Sequence, residues 1–107
     1  MLYELRIYRC MPGRKADVLA RFRNHTMGFF RRHGIQCIGF WETVVGELDE
    51  LVYILKWASG EDRDRKWTAF QADPDRARAM EESHRNGVIV EHARSAMLQA
   101  TDFSPPV

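Results

Sequence analysis

The sequence predicts an α+β domain whose four-stranded antiparallel sheet carries its helices on one face. Three observations predict it. Residues 2–10 alternate with a period of two, residues 19–33 carry an apolar stripe at spacings of three and four, and two β-rich segments flank the turn Gly46-Glu-Leu-Asp49.

The first strand spans residues 2–10, with Tyr3, Leu5 and Ile7 on one face and Glu4, Arg6 and Tyr8 on the other. Pro12-Gly13 then opens a helix, since proline suits a first turn whose N–H has no intrahelical partner. The stripe Leu19, Phe22, Thr26, Phe29, Phe30 and His33 gives that helix one buried face. Arg31, Arg32 and His33 suit the negative end of the helix dipole, and Gly34 supplies a left-handed stop. Residues 35–45 form a second strand and residues 50–57 a third, joined as a hairpin. Trp67 and Phe70 lie among charges in a second helix over 61–71. Asp73-Pro74 caps a third helix that runs to about Arg85 and stops at Asn86-Gly87. Residues 88–98 are the last strand, and 101–107 an extended, proline-bearing tail. The resulting order, β-α-β-β-α-α-β, is that of a ferredoxin-like domain with spatial strand order 4-1-3-2.

A chain of 107 residues makes one domain, and it should bury roughly 65% of its unfolded surface without staples. Sixteen Lys and Arg against fifteen Asp and Glu leave a net charge of +1, which gives no electrostatic case for nucleic acid or an anionic membrane. The mixed charges of residues 61–85 read as solvated helix faces. No apolar run approaches the ~20 residues needed to cross a bilayer, and no leader precedes the first strand, so a cytoplasmic location is expected. Cys10 and Cys37 fall on strands separated by a third, with Cα atoms at least about 9–10 Å apart. A disulfide needs about 7 Å, so both are read as packing residues. The histidines His25, His33, His84 and His92 lack metal-ligand spacing, and no metal or cofactor is expected.

The second and third strands carry apolar residues on both faces: Ile38 and Phe40 against Cys37 and Trp41, and Leu51, Tyr53, Leu55 and Trp57 against Val52 and Ile54. Helices cover only one face, so a second copy of the chain is expected on the other, as a two-fold homodimer. With Leu5 and Ile7 placed toward the helices, Glu4, Arg6 and Tyr8 would point into the dimer's interior. There an acid, a planar cation and a phenol about 6.5–7 Å apart along the strand suit a carboxylate or enolate. Glu4 would be general base, Arg6 anion clamp and Tyr8 donor; the same trio also suits a self-satisfied network that fixes the dimer. Trp41 would add an aromatic wall, with Trp57 flanking it, and His92 is placed near the cavity with Arg94 on its face.

Taken together, Tyr3-Glu-Leu-Arg-Ile-Tyr8, Pro12-Gly13, Gly39-Phe-Trp-Glu42 with Gly46-Glu-Leu, Arg63, Asp73-Pro74 and Asp102-Phe-Ser-Pro105 resemble the NIPSNAP family over nearly the whole chain. The chain departs from it at Arg76, where the family often carries tryptophan. The resemblance implies a dimeric α+β barrel and marks Arg63 as a recurrent position. It leaves activity open, because barrels of this kind include cofactor-independent monooxygenases, haem-handling enzymes and isomerases. The leading expectation is a protein that binds a small anionic or aromatic organic molecule in a sheet-lined cavity, at Glu4, Arg6, Tyr8, Trp41, Arg63 and His92. The alternatives are a cofactor-independent monooxygenase or isomerase, and a non-enzymatic dimeric interaction module.

Overall fold

The strands pair in the order β2-β3-β1-β4, every neighbouring pair antiparallel, in a computed structural model that describes residues 1–107. They are β1 (Leu2–Cys10), β2 (Gln36–Glu42), β3 (Glu50–Trp57) and β4 (Val90–Leu98). This is the expected ferredoxin-like sheet. The helix after β1 comprises α1 (Lys15–Arg21), a π-helical turn (Phe22–Thr26) and α2 (Met27–Arg32), and α3 (Gly60–Ala72) and α4 (Pro74–Ser83) complete the helical layer.

Local chemistry sets the ends of these elements. After α2 the Ile35 N–H donates to the Phe30 carbonyl and the Gly34 N–H to that of Arg31, a Schellman closure with Gly34 at φ +68°. Phe30 and Ile35 are both buried, which supplies the apolar contact that usually accompanies that closure. Ser59 caps α3 by accepting from the Asp62 N–H, and Asp73 caps α4 by accepting from the Asp75 N–H, ahead of Pro74. β2 is shorter than the expected 35–45. Val44 and Val45 are 85% and 91% exposed, so their β-branched side chains have no surface to pack on and the segment is loop. β4 likewise starts at Val90 rather than at residue 88, and α4 ends at Ser83.

The core lies between sheet and helices. Leu51, Tyr53, Leu55 and Trp57 of β3 pack with Val18, Phe22, Phe30 and Phe70. Register then decides the facing of β1: Glu4 pairs with Leu55, Arg6 with Tyr53 and Tyr8 with Leu51. Directly paired residues share a face. Glu4, Arg6 and Tyr8 therefore point at the helices, while Tyr3, Leu5 and Ile7 lie on the open face. That reverses the orientation expected from β1 alone. The expectation for β2 also changes, because a bulge lets Gly39 follow Cys37 in the pairing with β3. Phe40 joins the core opposite Tyr53, and Trp41 lies on the open face opposite Val52.

Candidate functional site

Glu4 is completely buried and fully engaged. Its Oε1 accepts from Trp57 Nε1 at 3.1 Å and Arg63 Nε at 2.7 Å; its Oε2 accepts from Arg6 Nη1 at 2.9 Å and Arg63 Nη2 at 3.2 Å. Burial alone would raise its pKa, but the hydrogen bonds from Arg63 and Arg6 and their charges outweigh it and hold the carboxyl below the usual range. Four donors fill the roughly four lone-pair positions of a carboxylate. No lone pair remains for proton abstraction, and the side chain instead ties α3 to β1 and β3.

Arg6 continues the network toward a cavity. Its Nε donates to the Tyr53 hydroxyl at 2.7 Å, and the Tyr53 hydroxyl lies 3.2 Å from that of Tyr8. The guanidinium sits 4.7 Å from the Trp67 ring centroid, a cation–π seat on α3. Beyond it, a cavity of about 80 Å³ opens between the sheet and the helices. Its walls are aromatic (Tyr8, Phe22, Phe30, Tyr53, Trp67 and Phe70) and three arginines, Arg6, Arg21 and Arg76, reach it.

Arg21 and Arg76 differ from Arg6 in having no carboxylate partner. Arg21 is 6% exposed; its Nη1 donates to Ser83 Oγ at 3.2 Å, and its Nε has no partner at all. Arg76 packs its guanidinium 4.4 Å from the Phe70 ring centroid. The carboxylates at the start of α4 are already engaged, Asp73 by Arg32 and His33, and Asp75 by Arg32 and Arg78. Burial pulls the pKa of both Arg21 and Arg76 down, and the Arg76 charge lowers that of Arg21 further. The π-helical turn begins next to Arg21 and carries Phe22 and Thr26, both of which line the cavity. Such turns recur at functional sites because the extra residue redirects side chains.

Of the residues expected at a site, the structure brings Glu4, Arg6, Tyr8 and Arg63 together. Trp41 and His92 lie on the opposite face of the sheet, Trp41 paired with Val52 and His92 with Arg9. Trp57, expected to flank the site, does so as a donor to Glu4. Neither Arg21 nor Arg76 is marked as a site residue by the sequence pattern, since each sits among other charges on a helix. The departure at Arg76 was the one available signal for the latter. Both cysteines are free, and no group of three His, Cys, Asp or Glu side chains could hold a metal ion. No helix is long and apolar enough to cross a membrane.

Comparison with known proteins agrees with this fold. A NIPSNAP protein of unknown function from Agrobacterium tumefaciens superposes with a TM-score of 0.86 at 25% identity, over 98% of this chain and 92% of that one. A NIPSNAP domain protein from Burkholderia xenovorans gives 0.86 at 23% identity, over 99% and 100% of the two chains. A Bordetella bronchiseptica protein provisionally described as an antibiotic biosynthesis monooxygenase gives 0.67 at 15%, over 94% and 96%, a likeness of fold alone. No curated protein matches the chain. The NIPSNAP family model matches residues 3–105, nearly the whole chain, and the chain belongs to the NIPSNAP family.

Proposed function

We propose that each protomer binds a small organic anion in the cavity between sheet and helices, and that two protomers pair through the open face of the sheet. Arg21 carries the first part. A guanidinium N–H that is buried without a partner is costly. An anion beside the guanidinium offsets that cost by its charge and balances the neighbouring charge of Arg76. The cavity, about 80 Å³, is far below the ~300–1,000 Å³ of drug-sized sites. With ~30 Å³ for a liquid water as the measure, it has the volume of about three waters, which suits only a very small molecule. The pairing of protomers is supported by the face bearing Tyr3, Leu5, Ile7, Val52 and Ile54, which the helices leave uncovered.

Glu4 is a brace in this reading rather than a base, and because it faces the helices it is not glue between protomers. The test is calorimetric titration of the untagged protein with acetate and propionate, repeated on Arg21→Gln. Saturable binding that weakens at least roughly tenfold in the variant is expected, as for loss of a charge-assisted hydrogen bond. Binding unchanged by the substitution, or no binding to the wild type, would overturn the reading.

A further inference from the structure

The hydrogen bonds around Tyr53 have only one consistent direction, and it reaches the cavity. Tyr53 is 1% exposed, and its oxygen accepts from Arg6 Nε at 2.7 Å. Its own proton has one acceptor within reach, the Tyr8 oxygen at 3.2 Å. If Tyr8 donated to Tyr53 instead, a buried hydroxyl proton would be left without a partner, at a substantial cost. The chain therefore runs from the Arg6 guanidinium to Tyr53 and on to Tyr8. The Tyr8 proton is left to donate elsewhere, and Tyr8 lines the cavity. A donor at the end of a chain that starts on a cation is polarised and strengthened.

We propose that the anion is a short 2-oxo carboxylate, its carboxylate held by Arg21 and Arg76 and its oxo oxygen accepting from Tyr8. This rests on the anion-pocket reading above and narrows the ligand. The cavity's charged lining is entirely cationic: no Asp, Glu or His reaches it, and neutral Thr26 and Gln71 complete the polar set. Such a lining selects a ligand made of acceptors. A 2-oxo carboxylate presents three acceptor oxygens and no donor at neutral pH, and it is flat, which suits a space walled by aromatic rings. Pyruvate, the smallest member that keeps its oxo group mainly unhydrated in water, is among the least bulky ligands this class offers to so small a cavity. A simple carboxylate of the same length would leave the Tyr8 proton unpaired.

The test compares pyruvate with propionate by calorimetry, on the wild type and on Tyr8→Phe, with thermal melts confirming that the variant is folded. Pyruvate is expected to bind roughly tenfold more tightly than propionate to the wild type, with the ratio falling to about one in Tyr8→Phe. Equal affinities in the wild type, or a preference that survives in Tyr8→Phe, would overturn the 2-oxo assignment while leaving the anion pocket intact. Failure of both acids to bind the wild type would overturn the pocket as well. Equal wild-type affinities overturn the proposal even if the variant does not fold.

Discussion

Arg63 holds the Glu4 carboxylate with two prongs, Nε to Oε1 at 2.7 Å and Nη2 to Oε2 at 3.2 Å, across 59 positions of sequence. This bidentate fork joins the first turns of α3 to β1 beneath them. Trp57 and Arg6 complete the set, so the charge of Glu4 is taken out of water with every lone pair satisfied. Replacing Glu4 by Met leaves Arg6 without its carboxylate in a largely buried setting, and a broken buried pair costs about 3–5 kcal/mol. Urea unfolding of Glu4→Met should show a loss of that size. A loss below about 1 kcal/mol would mean that the network is dispensable to the fold.

The contrast between β1 and β3 shows how far the sequence could be read. β3 alternates Leu51, Tyr53, Leu55 and Trp57 against Glu50, Val52, Ile54 and Lys56, so the face free of charge and richer in aromatic bulk is legible as the buried one. β1 offers Leu5 and Ile7 on one side and Glu4, Arg6 and Tyr8 on the other, and by hydropathy the first set belongs in the core. Pairing with β3 overrides this, because the two strands must share a face and β3 carries the larger apolar load. The burial of Glu4 is tolerable only with Arg63, and no local pattern announces a partner so distant. β2 fails for another reason: its bulge shifts the alternation by one residue, which a strict period-two reading cannot follow. Arg21 is hidden in the same way. Its burial depends on α4 closing over α1, through Ser83.

Acid should weaken the fold through Asp73. The His33 ring bonds its Oδ2 at 2.7 Å; with Arg32 at 2.9 Å and the Asp75 N–H, this holds the carboxyl well below the usual range against the opposing effect of burial. The folded-state pKa lies below the unfolded value of ~3.9, so the native state binds fewer protons than the unfolded chain. The stabilisation is therefore complete above about pH 5 and is lost as pH falls through the unfolded pKa toward the folded one. Glu4, also held low, adds in the same direction. Asp73→Asn keeps a helix-capping side chain but carries no titrating charge. It should be less stable than the wild type at pH 7, with a flatter stability profile between pH 5 and pH 3. Parallel profiles would show that Asp73 does not set the acid limit.

Gly34 ends α2 at φ +68°, a left-handed position whose N–H and that of Ile35 close the helix. A Cβ there would meet only the flexible end of Lys66, with Cε at 3.6 Å, so the cost of a side chain is conformational rather than steric. Gly34→Ala should lose about 1 kcal/mol, and Gly34→Asn less, since asparagine tolerates this region. Thermal melts that rank alanine at or above asparagine would contradict the left-handed closure.

The open face of the sheet provides the test of assembly. Ile54 sits at its middle, paired with Leu5 on β1 and Gly39 on β2, and the Trp41 ring lies over Gly39 so closely that a Cβ would fall 2.9 Å from Cη2. Lysine at position 54 would place a charge at the centre of this surface without touching Glu4, Arg6 or the cavity on the opposite face. If a second copy covers the face, burying that charge is prohibitive and the pair should separate. The wild type is then expected at twice its 12.5 kDa chain mass by native mass spectrometry, and Ile54→Lys at the single-chain mass with an intact far-ultraviolet circular dichroism spectrum. A monomeric wild type would remove the dimer. A dimer that survives Ile54→Lys would move the interface off this face, toward the edge of β4, where Met97 and Leu98 stand 45% and 44% exposed.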